Sequence, residues 1–147
     1  MELDKVIDIL LVEDSQSDAE MTIRALNKHH ISNNLTHLKD GALALDFLFG
    51  TGIYTGRNTN NKPKVILLDL KMPKVNGLQV LQRIKNDDIT RDIPVVILTS
   101  SKEHPDVERC YKMGVNSYIV KPVEFSNFMK AIADLGMYWL GLNQSPQ

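Results

Sequence analysis

A chain of 147 residues is long enough for one well-packed core and too short for two ordinary domains, so residues 1–147 read as a single globular domain. Apolar residues at 43% and charged residues at 24% suit a soluble protein, and no segment approaches the ~18 consecutive apolar residues of a membrane span. A net charge of −1 with dispersed basic residues gives no electrostatic reason to bind nucleic acid or an anionic membrane, and the lone Cys110 excludes an internal disulfide.

The start, Met-Glu-Leu-Asp-Lys, lacks the basic and then apolar build of a secretory signal, so a reducing cytoplasm is the expected setting. Residues 6–12 form a nearly continuous apolar run, read as a first buried strand that ends in charge at Glu13-Asp14. Ser17 and Glu20 stand at capping-box spacing, and Ala19, Thr22, Ile23 and Leu26 then mark one face of a helix that ends near His29-His30. Residues 31–38 hold a turn at Asn33-Asn34 and a short strand alternating with polar residues, which belongs at a sheet edge. Asp40 caps a second helix with Leu45, Leu48 and Phe49 inward, and Gly50 ends it. Residues 50–63 are rich in breakers and amides and read as a long surface loop, a kind that is often functional or mobile.

Residues 65–68, Val-Ile-Leu-Leu, have the character of a fully buried strand, yet the run closes on Asp69, a charge that packing alone would not select. Met72-Pro73 then prevents immediate helix continuation, which leaves Asp69 at a loop on the rim. A third helix from about Gly77 carries Val80, Leu81 and Ile84 at helical spacing, and residues 91–94 form a loop. The strand at residues 95–98 ends in Thr99-Ser100-Ser101. A fourth helix places Val107, Cys110 and Tyr111 on one face and stops at Gly114; a fifth strand, residues 117–120, ends at Lys121-Pro122. A last helix from near Glu124 turns Phe125, Phe128, Met129, Ile132, Leu135 and Trp139 inward. His29, His30, His37 and His104 show no ligand spacing and read as surface or packing residues.

Five strands alternating with five helices imply an α/β fold, a doubly wound parallel sheet with helices on both faces. In such a sheet Glu13-Asp14, Asp69, Thr99 and Lys121 all lie at the carboxyl edge, where ligands bind. Each has a plain structural reading of its own, as a helix-start charge, a turn cap, a helix cap or a solvated end. Their joint occurrence at four strand ends is the informative feature. Clustered carboxylates repel one another unless a cation neutralises them, and an oxygen-only donor set favours magnesium. With the Lys121 charge and the Thr99 hydroxyl alongside, the cluster describes a site for receiving a phosphoryl group on a carboxylate.

The motifs Leu-Val-Glu-Asp, Leu-Leu-Asp-Leu-Lys-Met-Pro, the following Asn-Gly, Leu-Thr-Ser-Ser and Tyr-Ile-Val-Lys-Pro together resemble the response-regulator receiver family, over about residues 6–140. The resemblance implies a flavodoxin-like sheet of strand order 2-1-3-4-5, Asp69 as the phosphorylated residue, and magnesium held by Asp14, Asp69 and the backbone carbonyl of Lys71, with Glu13 acting through metal-bound water. It also implies that Thr99 bonds the phosphoryl group, that Lys121 pairs with it, that Tyr118 is an aromatic switch, and that Lys121-Pro122 is cis. A histidine kinase is then the implied partner. The long 50–63 loop, the extended last helix and the lack of an output domain resemble single-domain regulators that pair with phytochrome-type and related hybrid kinases. An aspartate-dependent phosphatase is the enzymatic alternative, disfavoured because Lys71 stands where that chemistry needs a second acid two residues after the nucleophile. Residues 136–142 are apolar all round, so a two-fold homodimer through the last-helix region is expected.

Overall fold

Five short runs of branched apolar residues pair into one parallel sheet: β1 Ile9–Val12, β2 Leu35–Leu38, β3 Val65–Asp69, β4 Val95–Thr99 and β5 Ser117–Val120, in the order β2-β1-β3-β4-β5. The helices are α1 Gln16–Asn27, α2 Gly41–Phe49, α3 Gly77–Lys85, α4 Pro105–Lys112 and α5 Phe125–Asp134. The computed structural model describes residues 7–29, 34–72, 74–101, 103–115 and 117–134. Leu135, Trp139 and the apolar run at 136–142, on which the expected dimer rests, lie outside the described residues.

Alternation along the central strands splits the core in two. Leu10, Val12, Ile66, Leu68 and Ile97 face α2, α3 and α4, meeting Phe47, Leu48, Val80, Leu81, Ile84, Val107 and Cys110. Ile9, Leu11, Val65, Leu67, Val96 and Leu98 face the opposite way, meeting Ala19 and Leu26 of α1 and Phe128, Ala131 and Ile132 of α5. Strands buried on both faces read as continuous apolar runs, which explains why these were legible in sequence. The edge strand β2 is half-buried apart from Leu38, as its polar alternation implied.

Three local expectations need correction, and a fourth gains detail. The first helix begins at Gln16, because Ser15 holds an extended backbone and its Oγ accepts the Asp18 N–H at 3.2 Å; Ser17 lies inside the helix. In α2 the buried side chains are Ala44, Phe47 and Leu48, whereas Leu45 and Phe49 are half-buried. Tyr111 is 44% exposed, since only Val107 and Cys110 of α4 turn to the sheet. The 50–63 segment is a pinned loop: it contains a 3-10 turn at Gly52–Tyr54, and the buried Arg57 stacks its guanidinium 3.9 Å from the Phe47 ring while donating to the Phe47 and Asn61 carbonyls.

Candidate functional site

The parallel register brings the strand ends abreast. Val12 is opposite Leu68, so Glu13 follows beside Asp69; Asp69 is opposite Leu98, and Thr99 is opposite Val120, so Lys121 follows one step beyond. Two bonds fix this edge, from Leu70 N–H to the Leu98 carbonyl and from Lys121 N–H to the Thr99 carbonyl. The Lys121-Pro122 peptide is cis, as expected. After β3 the chain turns through Lys74, at φ 64, into the Asn76 cap of α3. Gly77 is required by close approach: a Cβ there would collide with the carbonyl oxygen of Asp69 and the Cα of Leu70. Asn76 and Gln79 complete a reciprocal capping box at 2.9 Å each, so the helix start is locked under the Asp69 loop.

The expected residues converge on a crevice of about 220 Å³ lined by Glu13, Asp14, Asp69, Lys71, Thr99 and Lys121, together with Ser15, Asp18, Leu70, Ser100 and His104. Carboxylate oxygens of Glu13, Asp14 and Asp69 all lie within 4.8 Å of one another. Glu13 and Asp69 are buried and Asp14 is exposed, so the trio opens outward on one side. Lys121 Nζ sits 2.9 Å from Glu13 Oε1, 3.1 Å from Asp18 Oδ2 and 3.4 Å from Asp69 Oδ1. Lys71 N–H donates to Asp69 Oδ1 at 3.3 Å, and Ser15 N–H to Glu13 Oε2 at 3.2 Å. Thr99 Oγ1 donates to the Ser101 carbonyl at 2.9 Å, and Tyr118 is half-buried with its ring edge-on to Tyr111 at 6.2 Å.

The electrostatics show what the trio lacks. Burial, then the neighbouring Glu13 charge and its hydrogen bond, push the Asp69 carboxyl up to about 7, against the opposing pull of Lys121 and the Lys71 N–H. Burial alone would lower Lys121, but the hydrogen bond to Glu13 and the charges of Asp69 and Glu13 hold it above the usual lysine range. One ammonium shared three ways does not neutralise the site. The donor set is oxygen only, so the residues fit a hard divalent cation, with the exposed Asp14 at the mouth and Asp69 at the floor.

Sequence reasoning missed two contributors. Asp18 reaches Lys121 across 103 positions; once Ser15 is the cap, Asp18 is the third helical residue, and helical side chains lean toward the helix start, here the strand-end edge. His37, read as a packing residue, donates from Nε2 to the Glu13 carbonyl at 2.8 Å and so holds the loop that carries Glu13 and Asp14. His104 caps α4 through Nδ1, which accepts the Asp106 N–H at 3.1 Å.

Comparison with known proteins agrees with this geometry. Residues 9–133 match the response regulator receiver domain model, and the chain belongs to that family. It is 40% identical over 138 residues to the probable methanogenesis regulatory protein FilR2 of Methanothrix harundinacea, covering 94% of this chain and 86% of that protein. It is 37% identical over 132 residues to the response regulator Rcp1 of Synechocystis, covering 90% and 88%. Among solved structures it is similar to the bacteriophytochrome response regulator AtBRR, with a TM-score of 0.84, 52% identity and coverage of 92% and 96%. A Mn2+-bound form of Rcp1 matches with a TM-score of 0.72, 36% identity and coverage of 91% and 94%. The protein is accordingly a phosphorylation-dependent switch that accepts a phosphoryl group on an aspartate through an acidic, divalent-cation-binding pocket, with a histidine kinase as partner, and is related to phytochrome-associated regulators. Receivers are not enzymes acting on external substrates, so the phosphatase alternative falls.

Proposed function

We propose that Asp69 is the phosphoryl acceptor and that magnesium is the ion, held by Asp14, Asp69 and the Lys71 carbonyl, with Glu13 acting through metal-bound water. The observation that carries this reading is the convergence of a buried, charge-deficient Asp69 with Lys121 at the centre of a three-carboxylate cluster. Bound there, the ion would neutralise the carboxylates and the oxygens of an incoming phosphoryl group. Asp69 supplies the nucleophilic oxygen, and the bond between phosphorus and the donor histidine nitrogen breaks as the new bond forms. Lys121 pairs with the transferred oxygens, and the Thr99 hydroxyl exchanges its Ser101 carbonyl partner for one of them. Tyr118 then turns inward toward the space that Thr99 vacates, which transmits a local charge change to an exposed face. Labelling by a small phosphodonor with and without magnesium, in the parent and in Asp69→Asn, tests this assignment. Labelling that persists undiminished in the substituted protein defeats it.

The kinase is of the phytochrome-associated class; what supports this is 52% identity to a bacteriophytochrome response regulator over nearly the whole of both chains. Measuring phosphotransfer from a panel of histidine kinases checks it, and preference for a kinase lacking a phytochrome photosensor would count against it. The receiver pairs two-fold through residues 136–142, whose apolar character all round supports the pairing. Sedimentation of the parent and of a Tyr138→Glu/Leu140→Glu variant tests the pairing; a parent that stays monomeric with and without beryllofluoride contradicts it. A cytoplasmic location is the corresponding setting, and among the described residues no helix is long and apolar enough to cross a membrane.

A further inference from the structure

A lysine ammonium offers three N–H donors and no acceptor, and at Lys121 three carboxylates compete for them. Asp69 takes the longest of the three contacts, at 3.4 Å, while Asp18 stands at 3.1 Å. Asp18 is outside the cation-ready trio: it occupies the first turn of α1 and its side chain is 33% exposed.

We propose that Asp18 is a positioning residue that tethers the Lys121 ammonium toward α1 and competes with the phosphoryl group for it. The inference rests on the reading of Asp69 as acceptor. In the resting arrangement three protein carboxylates surround the Lys121 ammonium; the longest contact, to Asp69, passes to the phosphoryl group when Asp69 is modified, and a second phosphoryl contact needs Glu13 or Asp18 to yield. Glu13 is fully buried, so an ammonium that left it would leave its charge to the metal-bound water alone, out of reach of bulk solvent. Asp18 is partly in solvent, and its carboxylate is rehydrated when the ammonium leaves. The Asp18 contact is therefore the one surrendered, and its strength is subtracted from the Lys121 to phosphoryl bond. Removing the Asp18 carboxylate then tightens binding of a phosphoryl analogue, opposite in sign to removing Lys121.

A carboxylate at this rim could also repel an anion directly, without acting through Lys121, and a double-mutant cycle separates the two routes. Beryllofluoride binding with magnesium is measured on the full chain for the parent, Asp18→Asn, Asp18→Ala, Lys121→Ala and the paired combinations. The 1H–15N signal of the Lys121 ammonium is followed in the analogue-free parent and Asp18→Asn proteins. The tether predicts roughly two- to fivefold tighter binding in either Asp18 variant, the range that a partly exposed ion pair supplies. It predicts less than about a twofold change from the same substitutions when Lys121 is absent, and a shifted ammonium signal in Asp18→Asn. Unchanged or weaker binding overturns it, as does an equal gain without Lys121. If the parent itself does not bind beryllofluoride, the acceptor reading falls. The ammonium signal still judges the tether in that case, because an unchanged signal in Asp18→Asn overturns it alone.

Discussion

Two aspartates are buried at opposite ends of the sheet, and their surroundings differ in one respect. Asp8, just before β1 at the amino edge, meets Lys64 Nζ at 3.2 Å through one oxygen and the Asn34 amide at 2.9 Å through the other. Its charge meets one cation and one amide dipole, with no second carboxylate among these contacts. Asp69, at the carboxyl edge, shares Lys121 with Glu13 and Asp18, and faces Glu13 and Asp14 as well. One end of the sheet is balanced by the chain's own groups; the other is left short of positive charge. A structural acid is completed within the protein, whereas an acid meant to bind a cation and a phosphoryl group is completed only by them.

Conservative substitutions at the two ends should separate most widely in phosphorylation. Asp69→Asn is expected to reduce labelling by a small phosphodonor more than about 100-fold, because nucleophile and ligand are lost together, while Asp8→Asn should leave labelling within about threefold of the parent, since it touches no group of the crevice. Radiolabel or phosphate-affinity gels would read both, and equal losses would erase the contrast.

The next largest effect is expected at the shared cation. Lys121→Ala strands buried Glu13 and Asp69 without their ammonium and should destabilise the metal-free protein by roughly 2–4 kcal/mol in urea unfolding. A change under about 0.5 kcal/mol would mean that the cluster does not depend on Lys121.

Stability should then respond to pH with a defined sign. Because the Asp69 carboxyl is raised to about 7, the folded state keeps a proton that the unfolded state releases near pH 4. That contribution is fully present below about pH 4 and is lost as pH rises through 7, with a slope of at most about 1.4 kcal/mol per pH unit. It is read as the difference between parent and Asp69→Asn in chelator, and a difference that stays flat from pH 4 to 8 would contradict the cause assigned. Asp8→Asn should be smaller and of ordinary sign, destabilising by about 1–2 kcal/mol through the weakened Lys64 and Asn34 contacts.

The smallest expected effect lies at the rim. Lys71 is exposed and lines the crevice two residues after Asp69, and shielding an acyl phosphate from water is the role expected of its long cationic side chain. Lys71→Ala should speed autodephosphorylation by about two- to fivefold, a transition-state difference of under 1 kcal/mol. A slower loss in the alanine protein would assign Lys71 the opposite role.

Most of the carboxyl edge was legible from sequence because the pattern that makes a strand fully buried also makes its terminal charge conspicuous. Asp69 stands out after Val-Ile-Leu-Leu, and the parallel order then places Glu13, Thr99 and Lys121 beside it. Asp18 was not legible, since its place depends on which of two serines caps α1. Ser15 and Ser17 each have an acid three residues on, and the extended backbone leaving β1 decides for Ser15. His37 escaped notice because its partner is a backbone carbonyl, which no side-chain spacing reveals. The 50–63 segment read as a surface loop because polar and breaker residues dominate it; the arginine that packs on Phe47 and ties the loop to α2 was not legible, because only tertiary structure brings the two together.

The claim that Asp69 is left deliberately short of charge is tested most directly by thermal unfolding at pH 8. Parent and Asp69→Asn are compared in chelator and in excess magnesium. The parent should be the less stable of the two in chelator, by about 1–3 kcal/mol, from the pressure of burial and Glu13 on an ionised Asp69, and magnesium should raise the parent's Tm while moving that of Asp69→Asn far less. A parent that is the more stable protein in chelator and indifferent to magnesium would contradict the account.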